Sequence, residues 1–252
     1  MAGERRPKMG RRVGDTLFLD LRGAILTHFE TGPGIDALAV EAALLRNPGA
    51  DQVHLNIESS GGSAHAAEQI YGALKRHRGF KTINANYQCA SAATIVLMAG
   101  DFRTATPGTE LLFHSPEVFP PRNARWTADR HELAARRLRK LNERIVQLYA
   151  AATQRDASLF EKEIANENLM SLPRARALGV IHCLAGEERW INGRPHYFPD
   201  GGLQAVLAYR AQDLRTIYER ATTAPGRLAG VIIGHAAFSK RGIDCWKRTA
   251  PP

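Results

Sequence analysis

Segments patterned for strands alternate with segments patterned for helices from Thr16 to Phe113, and that rhythm leaves few folds open. Thr16–Leu21 (TLFLDL) reads as a short strand that Gly23 breaks. Ile35–Arg46 carries apolar residues at helical spacing and stops at Asn47-Pro48-Gly49, which cannot continue a helix. Val53–Ile57 (VHLNI) alternates apolar and polar residues, as a strand with one better-buried face does. A helical stretch follows from about Ala64 to Arg76, then a short strand, Lys81–Asn86. A helix of small residues runs from Cys89 to about Ala99, and Glu110–Phe113 reads as a further strand. Such alternation predicts βαβ units and a largely parallel sheet with right-handed crossovers, hence an α/β fold.

The second half is mostly helical. Thr127–Ala152 predicts one long helix, with Leu133, Leu138, Leu141, Ile145, Leu148 and Tyr149 on one side and arginines over much of the other. Helical stretches at Ala157–Ile164 and Pro173–Ala177 frame Asn166–Ser171, and Val180–Leu184 reads as a strand. Past Glu187 two turn signals come in close succession, Asn192-Gly193-Arg194-Pro195 and Pro199-Asp200-Gly201-Gly202. Leu203–Ala221 looks helical and amphipathic, and a short apolar run, Leu228–Ile233, sits in a basic tail. The chain therefore divides into a basic N-terminal arm (1–14), a main domain (15–186) and a C-terminal extension (187–252) whose role the residues do not disclose.

Composition excludes some functions. No apolar run approaches the length a bilayer needs, and the basic start is followed by no apolar signal core, so the cytoplasm is the expected compartment. The three cysteines have no metal-ligand or redox spacing, and Cys89 and Cys183 lie in apolar stretches as buried thiols. A net charge of +9 would suit an acidic partner, but it concentrates in the arm, the long helix and the tail. Solvated faces account for it, and nucleic acid is not an expected partner.

Three local features could supply a serine hydrolase, which needs a nucleophile, a base and an oxyanion hole together. Ser91 sits where a strand gives way to a small-residue helix; taken locally, that is the position of a helix N-cap. Gly61-Gly62 follows a strand and lets backbone approach a ligand closely, or simply makes a tight turn. His114 ends a strand ahead of Pro116. None of the three is specific alone; their order and spacing carry the weight.

With that order in hand, residues from about 15 to 185 resemble the proteolytic subunit of the Clp protease. Ile57-Glu58-Ser59-Ser60-Gly61-Gly62-Ser63 resembles the family's Ile-Asn-Ser-Pro-Gly-Gly segment. Gln88-Cys89-Ala90-Ser91-Ala92-Ala93 is similar to its Gln-Ala-Ala-Ser-Met segment, and Leu112-Phe113-His114-Ser115-Pro116 to its Met-Ile-His-Gln-Pro. Asn168–Ser171 and Leu178–Ile181 resemble its Phe-Met-Ser and Tyr-Gly-Leu-Ile stretches. The resemblance implies the Clp protease/crotonase fold, built of repeated ββα units with a long handle helix, to which the C-terminal extension is added. It implies Ser91 as nucleophile, His114 as base, and the Gly62 and Ala92 amides as oxyanion hole. The family's catalytic aspartate falls on Glu167, with Asn166 and Asn168 beside it as alternatives.

The implied activity is that of a serine endopeptidase needing no cofactor and no metal. The implied partners are further copies of the chain in a ring, an AAA+ unfoldase, and unfolded protein or peptide substrates. Several positions depart from the family pattern. Tyr87 stands where the family has glycine, and Ser60 where it has proline. The glycine-rich ribbon after the histidine becomes Glu117-Val118-Phe119-Pro120-Pro121-Arg122, whose prolines cannot donate ladder hydrogen bonds. These departures motivate an alternative, a catalytically inactive subunit that acts as an assembly or scaffold partner. An acyl-CoA crotonase would share the Gly-Gly logic but does not generally use a Ser91/His114 pair.

Overall fold

In the computed structural model, residues 10–27, 33–118, 123–191 and 194–196 are described. The expected helix at 203–221, the apolar run at 228–233, Cys245, residues 1–9 of the arm and 119–122 of the ribbon lie outside them. The first half contains β1 (Arg11–Val13), β2 (Thr16–Arg22), β3 (Ile25–Leu26), β4 (Ile35–Asp36), α1 (Ala37–Leu45), β5 (Gln52–Ser59), α2 (Ala64–Arg76), β6 (Phe80–Ala90), α3 (Ala92–Leu97), β7 (Phe102–Ala105) and β8 (Glu110–Leu112). The second contains α4 (Ala128–Thr153), α5 (Ala157–Asn166), β9 (Leu169–Met170), α6 (Leu172–Ala177), β10 (Cys183–Leu184) and the hairpin β11 (Arg189–Ile191) and β12 (Arg194–His196).

The main sheet runs β1-β2-β5-β6-β7-β10. All its neighbours are parallel except the edge pair β1–β2. That is the parallel α/β fold the alternation predicted. Strand β5 shows why: every second side chain from Val53 to Ser59 is buried and the others are only partly covered. Helices α1 and α2 each start on a side-chain cap, Asp36 accepting from Leu38 N–H and Ser63 from Ala66 N–H.

Strand β6 departs most from expectation. It extends to Ala90, past the expected end at Asn86, and it changes partner on the way. Thr82–Ala85 pair with β7, whereas Gln88–Ala90 pair with β8. The switch occurs at a bulge: Ile57 pairs with Ala85, but the next pair is Ser59 with Cys89. Tyr87 lies in that bulge with φ 51 and its side chain 71 % exposed. The left-handed conformation explains a glycine in the family pattern, and a tyrosine there carries about 1–2 kcal/mol of backbone strain.

Two expected elements are shorter than their apolar runs. The small-residue helix spans only Ala92–Leu97, because Cys89 and Ala90 belong to β6. The strand at 180–184 reduces to Cys183–Leu184, since Val180 and Ile181 amides close the turn after α6 onto Ala175. Strand β7 has no sequence signature: all four of its residues are buried, including Arg103 and Thr104, so nothing alternates.

Arg103 is 5 % exposed, and its guanidinium donates to the carbonyls of Gly100, Ala152, Gly179 and Val180. Burial lowers its pKa to about 10, with nearby Asp101 acting in the opposite direction. This one side chain ties β7 to the end of α4 and to the turn after α6. We expect Arg103→Met to cost about 3 kcal/mol, since two buried and two part-buried carbonyls lose their donor. The shift in urea unfolding midpoint at constant m-value measures it.

Candidate active site

The strand change in β6 delivers Ser91. Beyond Ala90↔Leu112 the pairing closes with a hydrogen bond from Ser91 N–H to Leu112 C=O at 2.9 Å. His114 lies two residues beyond Leu112 on the same strand end, so one ladder carries both residues to one edge. Phe113, 1 % exposed, anchors the segment from behind.

Ser91 occupies the N-cap position of α3 without capping it. Its φ is 55 and its ψ −127, and its side chain makes no cap hydrogen bond. Among the described residues the hydroxyl makes no hydrogen bond, and it sits at a tight strand-to-helix turn whose backbone costs about 1–3 kcal/mol to hold. The local expectation of a helix cap is thereby overturned: helix entry is served by the Ser91 carbonyl, which accepts from Thr94 N–H and Thr94 Oγ1–H.

Gly61 and Gly62 are required by close approach as well as by φ values of 104 and 134. A Cβ on Gly61 would meet Ser91 Cβ at 2.6 Å, and one on Gly62 would meet Ile25 O at 2.3 Å. The loop is pinned from both sides. Gly61 N–H donates to the buried Ser59 hydroxyl, Ile25 N–H to Gly61 C=O, and Ser63 N–H to Ile25 C=O. The Gly62 and Ala92 amides donate no hydrogen bond among the described residues. Both are close to Ser91: Ala92 follows it, and Gly62 follows the glycine that touches it. Two N–H groups without a partner among the described residues, beside this hydroxyl, could act as the paired donors that acyl transfer uses.

His114 is half-buried, and two carboxylates surround it. Glu117 Oε1 lies 3.4 Å from His114 Nδ1. Strand β9 pairs antiparallel with β8, Leu112 opposite Leu169, and continuing that register brings Glu167 opposite His114. Glu167 ends α5 in a left-handed conformation with φ 50, which turns the chain into β9. Donor atoms of His114, Glu117 and Glu167 all lie within 4.8 Å of one another. One imidazole and two carboxylates could hold a divalent cation.

Glu117 is the residue that sequence reasoning missed; it sat in the altered ribbon, with only its i+3 spacing from His114 as a signal. Among the described residues no hydrogen bond joins Ser91 Oγ to His114 directly. Such contacts are often long in an uncomplexed enzyme and close with substrate. The clefts lined by Glu68, Lys140 and Arg144 between α2 and α4 contain none of these residues.

Comparison with known proteins identifies the family of the chain. The profile of the Clp protease family matches residues 38–188. The ATP-dependent Clp protease proteolytic subunit 1 of Chlamydia abortus is 28% identical over 139 residues, covering 54% of this chain and 71% of that protein. Among solved structures, a mutant ClpP1 from Listeria monocytogenes superposes with a TM-score of 0.56 at 21% identity. That match covers 66% of this chain and 90% of the other, and it speaks to the fold.

The Gly61 contact makes a direct prediction. Gly61→Ala should destabilise the chain by about 3 kcal/mol, combining backbone strain with overpacking against Ser91. Gly108→Ala also sits at positive φ (86) but meets nothing within 4 Å, and should cost only about 1 kcal/mol. Parallel denaturant titrations compare the two.

Proposed function

Because the chain belongs to the Clp protease family, we propose that it is a serine endopeptidase with Ser91 as nucleophile and His114 as general base. The observation that carries this reading is the uncommitted Ser91 hydroxyl, held in a strained turn against Gly61 beside two free amides. In the proposed reaction Ser91 Oγ attacks the scissile carbonyl carbon while His114 Nε2 takes its proton. The Gly62 and Ala92 N–H groups donate to the oxyanion of the tetrahedral intermediate. Collapse breaks the C–N bond, and His114 hands its proton to the leaving amine. Water, deprotonated by the same imidazole, then hydrolyses the acyl-serine and regenerates the hydroxyl.

Throughout the cycle Nδ1–H of His114 must be held by an acceptor that stabilises the imidazolium. Glu167 is the proposed third member, on its family position and on the β8–β9 register, and Glu117 stands beside it. The proposed setting is a ring of identical chains. The largely exposed first half of α4, with Leu133 outward, and Leu38 and Leu45 on α1 leave apolar surface suited to self-association. An AAA+ unfoldase would feed protein substrates to such a ring in the cytoplasm. No helix among the described residues is long and apolar enough to cross a membrane.

A second reading, an inactive subunit with a scaffolding role, is favoured by one observation: no direct hydrogen bond links Ser91 to His114. A fluorophosphonate probe separates the two. The peptidase reading expects covalent labelling at Ser91 that Ser91→Ala abolishes, and an unlabelled wild type with no peptide hydrolysis would sink it. Because either carboxylate can serve when the other is removed, Glu167→Gln and Glu117→Gln should each lower kcat by about tenfold. The double variant should lose far more than the product, about 1000-fold. Steady-state kinetics on a short peptide measures the series.

A further inference from the structure

Ser91 is kept in its strained turn by more than its own backbone. Its carbonyl accepts from Thr94 Oγ1 at 2.6 Å, and Thr94 Oγ1 lies 2.6 Å from Tyr149 Oη on α4. Counting protons fixes the direction. A carbonyl can only accept, so the single threonine hydrogen goes to Ser91, and Tyr149 must donate to Thr94. We infer that Tyr149 and Thr94 are positioning residues, a two-step relay that holds the nucleophile turn through the Ser91 carbonyl and anchors it to α4.

Three further features support the relay. Thr94 is fully buried and Tyr149 is 3 % exposed, so water cannot replace either bond cheaply. Burial pushes the Tyr149 phenol well above its ordinary pKa, outweighing the bond to Thr94, so the hydroxyl keeps the proton it must donate. The tyrosine ring is itself fixed. It meets Phe113, the neighbour of His114, edge-on at 5.1 Å and lies 5.6 Å from Phe160 on α5. One side chain of α4 therefore bears on the backbone of the nucleophile and on the segment carrying the base. Neither residue reaches the substrate, and a misplacement of Ser91 would appear in the chemical step rather than in binding.

The catalytic part of the test rests on the peptidase reading, and its structural part does not. Full-length Thr94→Val, Tyr149→Phe and Thr94→Ser are compared with wild type by fluorophosphonate labelling rate at Ser91, by kcat and KM on a short peptide, and by amide hydrogen exchange. Thr94→Val and Tyr149→Phe should slow labelling and kcat by about tenfold with KM changed less than about twofold. In both, exchange at the Thr94 amide should quicken by about tenfold while β5 amides report global stability. Thr94→Ser restores the hydroxyl and should restore every readout, which a general loss of packing would not allow. Should Thr94→Val fail to fold, Tyr149→Phe decides alone, since it keeps the ring contacts. Labelling and exchange within about twofold of wild type overturn the relay, as does a Thr94→Ser variant that rescues neither. If wild type takes no probe, the peptidase reading falls and exchange still decides the relay: faster exchange rescued by serine upholds it, unchanged exchange ends it.

Discussion

The contact between Gly61 and Ser91 is the constraint around which the site is arranged. With 2.6 Å between Ser91 Cβ and the place a Gly61 Cβ would take, no other residue fits without displacement. Ser59 braces this approach from within the loop, and Ile25 braces it from the neighbouring chain segment. The exposed Gly62 amide and the Ala92 amide are held near one hydroxyl because the backbones that carry them cannot separate. Close packing here suits the proposed chemistry, because donors fixed in advance need no reorganisation when charge develops.

The long parallel strand β6, which ends just before Ser91, has two jobs that conflict. It pairs with β7 to complete the sheet and with β8, whose strand end leads to His114. The bulge at Tyr87 resolves the conflict by adding residues to one strand, so pairing can shift from one neighbour to the other. A tyrosine is accepted there because its side chain faces solvent, which leaves only the backbone cost. Behind the sheet, Arg103 plays the corresponding part for the C-terminal elements, gathering carbonyls from three separate segments. Cys89 and Cys183 are both buried, in keeping with thiols that pack rather than react.

Polarity alternation and turn residues were enough to read the sheet class, since Val53–Ile57 and the glycine and proline punctuation each act within a few residues. The same locality explains the misses. Strand β7 is buried on both faces and lacks a pattern, and Cys89–Ala90 look helical because small apolar residues suit either state. Ser91 read as a cap because propensity sees a serine before a helix and cannot see the left-handed φ that turns its hydroxyl away. Glu117 was invisible as a partner for His114, because two residues three apart in an irregular segment have no prescribed facing.

Some properties thus belong to the chain as written. The α/β rhythm, the paired glycines, the serine and the histidine in that order, and the family they indicate follow from residue type and spacing, which short-range sterics and hydrophobic periodicity translate directly. The rest arises from contacts between segments distant in the chain. The register of β8 against β6 and β9, the two carboxylates about one imidazole, and the link from Ser91 through Thr94 to Tyr149 are of this kind. Thr94 and Tyr149 are 55 residues apart. Their pairing depends on where α4 packs, which no local pattern encodes.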